Sequence, residues 1–262
     1  MQGIARTFAI VACTLAVSSI AKSQAPAGAP NPWIHVTRVD VNPGSVPEFE
    51  DYIKKIQAGR VKLGLTHRVT AFQTMMGGSS YRYDFVLPFA KWEEMDSNPS
   101  IASIVMKAYG DVEGAKILKA GRNAIQAVVV EVYRVRLDLS TNARAGAPQD
   151  PFVTLTVTEH NLETLPAYMR LLGKIKKAEE QDPNGPTVLR YQLNLGEGAV
   201  TIATRGSKTL AERMTFPNQT QILTTAYGAA EAAEMSDLIT RTIKKRSTVV
   251  LAYRADLSSP GK

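Results

Sequence analysis

The chain has 262 residues, of which 44% are hydrophobic and 21% are charged. These fractions are typical of a folded globular protein and argue against a largely disordered chain. A single cysteine, Cys13, excludes a disulfide framework and a thiolate metal site. The formal net charge of +7 is a mild excess, with short basic clusters only at 174–177 and 244–246 on predicted helices. We therefore expect solvated helix faces and no nucleic-acid partner.

The first 23 residues have the pattern of a secretory signal peptide. Arg6 precedes an apolar run over residues 7–20, and small residues follow around 21–25. The apolar run is shorter than the roughly 20 residues that a membrane-spanning helix needs. We expect residues 1–23 to be removed on export, a flexible lead-in over 24–31, and a secreted or periplasmic protein with no membrane span. Residues 10–13 also resemble a lipobox, in which Cys13 is lipidated, so the sequence leaves the processing of the N-terminus open.

An internal repeat organises the rest of the chain. Residues 45–49 recur as residues 164–168, and 71–73 as 190–192, both at a spacing of 119. Beyond residue 95 the spacing is 118, as in the Tyr-Gly pairs at 109–110 and 227–228, so we expect one residue to be missing from the second copy there. The repeat predicts two similar units, 32–140 and 150–258, joined by a linker over 141–149 and followed by a tail over 259–262.

Each copy predicts the order β-α-β-β-α-β. In the first copy, residues 33–41 are extended, and a helix follows with Ser45 as its N-cap and Glu48 completing a capping box. The predicted buried face of this helix contains Phe49, Tyr52, Ile53, Ile56 and Arg60. The corresponding helix of the second copy is capped by Thr164, and its predicted buried face contains Tyr168, Leu171, Leu172 and Ile175. Strands at 68–76 and 81–87, a helical region over 91–123 with a break near residue 98, and a strand at 127–139 complete the unit.

This order defines the split βαβ, or ferredoxin-like, unit. Its two helices cover one sheet face, and apolar neighbours such as Val132 and Tyr133 indicate that the other face is buried too. We expect an α+β fold of two tandem ferredoxin-like repeats packed sheet to sheet as a pseudo-twofold α+β barrel. In topology and repeat, over nearly all of residues 32–258, the chain resembles the dimeric α+β barrel superfamily as a single-chain fusion. That superfamily includes antibiotic-biosynthesis-type monooxygenases, stress-responsive barrel proteins, and the chlorite dismutase and dye-decolorising peroxidase groups.

Seven residues of the first copy are candidates for a ligand site. The resemblance implies a substrate cavity between a sheet and its own helices, and the first copy is the more polar and aromatic of the two. Its residues His35, Arg38, His67, Tyr83, Asp84 and Trp92 align with Thr154, Val157, Pro186, Ile202, Ala203 and Ala211. We predict His67 as the proton acceptor, with Tyr83 and Arg38 stabilising an enolate-like oxygen. The predicted substrate-binding residues are His35, Trp92, Asp84 and Arg134, with Trp92 as an apolar wall.

Each of these residues also has a structural interpretation. A lone strand histidine is commonly a structural residue, and Tyr83 can pack across strands against Tyr81. Arg38 and Asp84 can pair with one another, Trp92 can belong to the core, and Arg134 on the last strand can point to solvent instead of into a pocket. The sequence leaves these alternatives open.

No cofactor and no metal are expected. The three histidines, His35, His67 and His160, have no short mutual spacing, and a heme would need an axial histidine on a helix of the second copy, where none occurs. His160 ends the first strand of the second copy, so we expect it to be solvated or to cap a turn. The chain also lacks a G-x-S-x-G elbow, a P-loop and a dinucleotide fingerprint.

Two hypotheses of different classes follow. In the first, the protein is an exported barrel that binds a small, largely apolar or aromatic molecule and oxidises it as a cofactor-independent monooxygenase. In the second, it is a non-catalytic periplasmic ligand carrier or assembly module. A degenerate heme-barrel relative is a third alternative. Both a monomer and a homo-oligomer are compatible with the repeat, which already supplies each sheet with a partner.

Overall fold

A computed structural model describes residues 32–142, 149–182 and 186–259. The expected signal peptide and lead-in, together with most of the linker and tail, lie outside these residues. Within the described part of the chain, no helix is both long and apolar enough to cross a membrane.

The same succession of element types occurs in both halves of the chain. The first half contains β1 (Trp33–Val41), α1 (Val46–Lys62), β2 (Thr70–Met76), β3 (Arg82–Phe89), α2 (Glu93–Ser97), α3 (Ile101–Tyr109), α4 (Asp111–Ala124) and β4 (Ile125–Val135). The second half contains β5 (Phe152–His160), α5 (Leu165–Glu179), β6 (Val188–Leu195), β7 (Ala199–Ser207), α6 (Leu210–Thr215), α7 (Gln219–Thr242) and β8 (Ile243–Tyr253). The basic cluster at 244–246 therefore lies on a strand, and its prediction as helical was wrong.

The eight strands close into one antiparallel barrel. Their order is β1-β3-β2-β8-β5-β7-β6-β4, so the four strands of each half are contiguous. The halves join at two seams, β2 with β8 and β4 with β6. Inside the barrel, side chains from both halves meet in one cluster that includes Val36, Tyr133 and Ile202.

Helices cover the outside of the barrel in two separate layers. In the first half, α1, α3 and α4 pack on the sheet around the fully buried Phe49 and Tyr83. In the second half, α5 and α7 pack together around residues such as Leu172 and Leu223. The predicted apolar faces of α1 and α5 are buried, which confirms the helical periodicity.

Ser45 and Thr164 occupy the N-cap positions as predicted, but the predicted capping box at Ser45 is wrong. Neither Ser45 nor Thr164 accepts a helix N–H with its side chain, and Ser45 instead ends a 3-10 turn over Pro43–Ser45 that leads directly into α1. A capping box occurs at α7, where Asn218 accepts from the N–H of Gln221, and the Gln221 side chain accepts from the N–H of Asn218.

Glycine sets a matching break in the long helical region of each half. Gly110 separates α3 from α4 with a φ of 77°, and Gly228 kinks α7 with a φ of 79°. Glycine enters this left-handed region without the penalty that a Cβ imposes. The recurrent Tyr-Gly pair in the sequence therefore marks a backbone feature shared by both halves.

Strand pairing shows how the two halves align. Thr37 lies opposite Phe85, and Thr156, which is 119 residues after Thr37, lies opposite Ala203. Phe85 and Ala203 thus correspond at a spacing of 118. The shorter spacing already holds at residue 85, and the expectation that it begins beyond residue 95 was wrong.

The missing residue lies in the turn between the hairpin strands. Gln73 lies opposite Tyr83, and Gln192 lies opposite Thr201, so the spacing changes from 119 to 118 between these two strands. Tyr83 therefore corresponds to Thr201. The counterparts expected from the sequence for Tyr83, Asp84 and Trp92 were each displaced by one residue, because the sequence comparison placed the missing residue beyond residue 95 instead of in this turn.

Candidate functional site

The structure divides the seven predicted site residues among different places. Arg38 and Asp84 line a cavity of about 230 Å³ between the two halves of the barrel. Arg38 Nε donates to Asp84 Oδ1 at 3.0 Å, which confirms their pairing, and its Nη1 donates to Glu131 Oε2 at 3.2 Å. The Tyr133 hydroxyl donates to the same glutamate oxygen at 2.8 Å. Burial raises the pKa of Asp84, although the Arg38 guanidinium opposes this shift. These polar groups satisfy one another inside the barrel.

Tyr83 lies on the other face of β3, in the helix layer. Its hydroxyl donates to Glu50 Oε1 at 2.9 Å, and Arg254 Nη1 donates to the same oxygen at 2.6 Å. Burial, followed by the hydrogen bond to Glu50, raises the pKa of Tyr83 to about 12. Because successive strand residues face opposite sides of a sheet, one ligand does not reach both Tyr83 and Asp84.

His67 lies in the loop between α1 and β2. Its Nε2 is 3.8 Å from Glu94 Oε2, and its side chain is 33% exposed. The imidazole ring is 5.5 Å from the ring of Phe89. This position is at the rim of the first half, away from the Arg38–Asp84 pair inside the barrel.

The remaining predicted residues lie near Trp33. Trp92 precedes α2 and is 37% exposed, so its assignment to the core was wrong, because the five-residue α2 does not cover it. Its ring meets Trp33 edge-on, with 5.1 Å between the centroids. The Arg134 guanidinium lies 5.9 Å from the ring of Trp33. His35 is half-buried on β1, and burial lowers its pKa. The binding roles of these residues stay predictions.

A larger cavity lies in the second half, between the sheet and helices α5, α6 and α7. Its volume is about 430 Å³, within the range of small-molecule sites. Its sheet wall is rich in threonine and contains Thr154, Thr156, Thr158, Thr201 and Thr248. Its helix wall is mainly apolar and contains Tyr168, Leu172, Phe216 and Ile222. One wall thus offers hydroxyl groups, and the other offers aromatic and aliphatic surface.

Small side chains on β7 create this cavity. Thr201 and Ala203 face it, whereas the corresponding residues of the first half, Tyr83 and Phe85, are buried in a filled apolar core. Two aromatic rings are therefore absent from the second layer. The sequence contains this difference in side-chain size between the two copies. The alignment was displaced by one residue, however, and paired Tyr83 with Ile202, which is larger than Thr201, so the difference was concealed.

Four arginines and one glutamate also line the cavity, namely Arg190, Arg205, Arg213, Arg246 and Glu179. Arg190 Nη2 donates to Glu179 Oε1 at 2.7 Å, and the two side chains are only 6% and 8% exposed. Arg190 Nη1 also donates to the carbonyl of Leu139 at 2.6 Å. Arg190 and Glu179 therefore form a fixed, buried ion pair.

The positive charges of the other three arginines are less fully neutralised by carboxylates. Arg205 Nη2 is 3.9 Å from the already paired Glu179, and burial lowers the pKa of the Arg205 guanidinium. Arg213 Nε donates to Thr154 Oγ1 at 2.8 Å, and Arg246 Nη1 lies 3.5 Å from a side-chain oxygen of Gln219. Among the residues that the structure describes, neither Arg213 nor Arg246 has a carboxylate within 4.0 Å.

His160 lies next to the cavity, behind Tyr168. Contrary to expectation it is buried, at 3% exposed, because α5 places Tyr168 over it, with 4.1 Å between the ring centroids. The Thr201 hydroxyl lies 2.8 Å from His160 Nε2. Burial lowers the pKa of His160 and raises the pKa of Tyr168. At neutral pH the imidazole is therefore uncharged, and the Tyr168 phenol keeps its proton as a hydrogen-bond donor.

The residues of this cavity do not fit a heme iron. None of the three histidines of the chain lines it, and His160 lies behind Tyr168. Across the described ranges, no group of three His, Cys, Asp or Glu side chains could hold a metal ion. The donors that are present suit the oxygen atoms of an organic ligand.

Comparison with known proteins identifies the fold. No protein-family model matches the chain, and no curated protein is significantly similar in sequence. A protein from Lactobacillus acidophilus NCFM, named as a candidate monooxygenase, matches with a TM-score of 0.53 and 12% identity, over 87% of this chain and 96% of that chain. An anthrone oxidase-like protein matches with a TM-score of 0.53 and 11% identity, over 85% and 91%. A mutant chlorite dismutase from Candidatus Nitrospira defluvii matches with a TM-score of 0.52 and 8% identity, over 87% and 92%.

At these identities the likeness concerns the fold. The chain is a mixed α+β protein with a closed, antiparallel, eight-stranded barrel of the kind seen in monooxygenase-like and chlorite dismutase-like structures.

Proposed function

We propose that this chain is an exported, monooxygenase-type α+β barrel that binds a small, largely aromatic molecule in the cavity of its second half. The observation that carries this proposal is the cavity opened by Thr201 and Ala203, at positions where the first half has Tyr83 and Phe85. Its size and its division into a hydroxyl-rich and an apolar wall suit such a molecule. The names of the similar structures support oxidation as the reaction.

We also infer that the two halves are ferredoxin-like repeats of one ancestral unit. Their strand registers correspond, and Gly110 and Gly228 break the helical regions at matching points. Glu94 and Glu212 make the same contact, each accepting from the backbone N–H four residues earlier. In this proposal the first repeat keeps a filled helix layer, and the second repeat supplies the ligand site.

In this proposal, Tyr168 and its neighbours in the cavity stabilise the developing charge on the ligand oxygen, instead of Tyr83 and Arg38. Tyr168 keeps its proton at neutral pH and lines the cavity, so it can donate to a ligand oxygen as negative charge develops there. For a substrate with an activated CH2 group, O2 converts CH2 to C=O, and the second oxygen atom leaves with both hydrogens as water. The substrate itself supplies the four electrons.

A ligand carrier is the second candidate, and one observation favours it. The cavity carboxylate, Glu179, is paired with Arg190, and His160 lies behind Tyr168, so neither is free to act as a base on a bound ligand. A carrier needs only the binding surface.

The test combines binding with oxygen uptake. Native mass spectrometry of the protein purified from a bacterial periplasm detects any retained molecule, and oxygen uptake is then measured with anthrone as the probe. Ala203→Phe fills the cavity, and Ala233→Phe, on the exposed surface of α7, is the matched control. We expect uptake above the uncatalysed rate for wild type and Ala233→Phe only. Binding of anthrone without uptake would favour the carrier, and binding that survives Ala203→Phe would contradict the site.

A further inference from the structure

Building on the proposed function, we propose that the ligand of the second-half cavity is an organic anion, with an aromatic body and a carboxylate or sulfonate group. The apolar helix wall would hold the body, and the arginines would hold the anionic group.

The first argument is the charge of the cavity. Of its lining residues, four are arginines and one is a glutamate, and that glutamate is already committed to Arg190. Arg205, Arg213 and Arg246 are left with hydroxyl, amide or backbone oxygens as their nearest partners, apart from the distant contact of Arg205 with Glu179. Arg205 and Arg213 are half-buried, and such charges gain most from an anion that replaces the lost hydration, whereas Arg246 is exposed.

The second argument is that the guanidinium groups are held in position. Arg205 lies 5.6 Å from the ring of Phe216, and its Nη1 is 3.5 Å from the carbonyl of Pro217. Arg213 is fixed from the sheet wall by Thr154. The first turn of α7, which begins at Gln219, also borders the cavity and adds the partial positive charge of a helix N-terminus. A site that is already organised loses little entropy when an anion binds.

The third argument is the comparison between the halves. By strand register, Arg205 corresponds to Leu87 and Arg246 to Val128. By the matching glutamate contacts before it, Arg213 corresponds to Met95. Residues that only build the fold can be alike in both halves. Here three uncharged positions of one half are all arginine in the other, and all three converge on the one cavity.

The apolar wall selects among anions. Tyr168, Leu172 and Ile222 line the same cavity as the arginines, and an inorganic anion would leave this apolar surface in water. An amphiphilic anion covers both walls at once, so the structure favours an organic ligand over free phosphate.

The experiment uses two fluorescent probes with the same ring system. 8-Anilinonaphthalene-1-sulfonate carries the anionic group, and N-phenyl-1-naphthylamine lacks it. We expect the anionic probe to bind wild type at least about tenfold more tightly, as one charge-assisted hydrogen bond can supply. Arg205→Gln, Arg213→Gln and Arg246→Gln should each weaken its binding by about fivefold or more and leave the neutral probe within about twofold. Arg170→Gln, on the exposed side of α5, is the matched control and should change neither.

The outcomes separate this inference from the function on which it rests. Equal affinities for the two probes, both lost in Ala203→Phe, would overturn the anion inference and leave the cavity as the ligand site. Probe binding that is unaffected by Ala203→Phe would contradict the site itself. Displacement of the anionic probe by inorganic phosphate as readily as by 1-naphthoate would overturn the organic part of the inference. Circular dichroism confirms that each variant is folded, and the more exposed Arg246 provides a test if Arg205→Gln is unstable.

Discussion

Phe85 and Ala203 lie at the same position of the two barrel halves, and they differ by one phenyl ring. Each faces the helix layer, from the strand that pairs with the first strand of its half. The ring of Phe85 packs 6.2 Å from that of Phe49 in a filled core, whereas Ala203 faces a cavity of about 430 Å³. The size of the side chain at this one position helps to determine which half can hold a ligand.

Exchanging the two side chains should affect stability unequally. Phe85→Ala empties space in a close-packed core, so we expect it to lower the free energy of unfolding by about 3 kcal/mol. Ala203→Phe places a ring in space that is already open, so its effect should stay below about 1.5 kcal/mol. Urea denaturation of both variants measures the difference, and equal losses would show that the second-half space is not open to a ring.

Most of the fold follows from local patterns in the sequence. Strand alternation and the helical stripe from Phe49 to Arg60 depend on neighbouring residues, and the structure reproduces them. The N-cap hydrogen bonds were not predictable from residue type alone, because a Ser or Thr in the right place caps only if the chain enters the helix with the right geometry. Ser45 and Thr164 hold the predicted N-cap positions, but their side chains make no capping hydrogen bond.

Arg38 should be essential for stability rather than for binding. Arg38→Met would leave Asp84 and Glu131 together inside the barrel without a cation, which we expect to cost about 3 kcal/mol at neutral pH. Arg82→Met removes a more exposed partner of Asp40 and should cost less than about 1 kcal/mol.

The cost of Arg38→Met should also fall at lower pH. Burial already raises the pKa of Asp84, and loss of the guanidinium would raise this pKa further. The folded protein then binds more protons than the unfolded chain, so its stability rises as the pH falls toward the raised pKa of Asp84. Chemical denaturation at several pH values tests both statements, and a penalty equal to that of Arg82→Met would contradict them.

His160 should make the protein less stable in mild acid. Burial lowers its pKa from the ordinary value of 6.5, so the unfolded chain takes up a proton that the folded protein does not. Stability from this source is present above pH 6.5 and is lost as the pH falls through the lower pKa of the folded state. His160→Gln should flatten the decline in melting temperature below that pH, although His35 adds a similar effect. His67→Gln, in a loop, is the matched control, and equal slopes for wild type and His160→Gln would refute the assignment.

His67 and Tyr168 separate the two possible locations of the chemistry. With the site in the second half, His67→Ala should leave anthrone-dependent oxygen uptake within about twofold, because His67 lies at the rim of the other half. Tyr168→Phe should lower turnover by about a hundredfold if its hydroxyl stabilises a developing oxyanion, with less effect on probe binding. Loss of oxygen uptake in His67→Ala, together with unchanged turnover in Tyr168→Phe, would instead favour the catalytic residues predicted from the sequence.

The site was harder to predict than the fold because it depends on distant residues. Arg205, Arg213 and Arg246 come from three elements and meet only when the barrel closes and the helices pack. The difference between the copies did carry information, since the polar positions of one copy have no counterpart in the other. It pointed to the first copy because a one-residue shift in a turn changed which β7 residues appeared to face the helices.

The central claim is that the ligand occupies the cavity of the second half. A crystal structure of the protein with 8-anilinonaphthalene-1-sulfonate tests this most directly. We expect the naphthalene ring between β7 and α5, near Tyr168 and Ala203, with the sulfonate at Arg205. Density for the probe inside the barrel beside Arg38 and Asp84, with the second-half cavity empty, would contradict the claim.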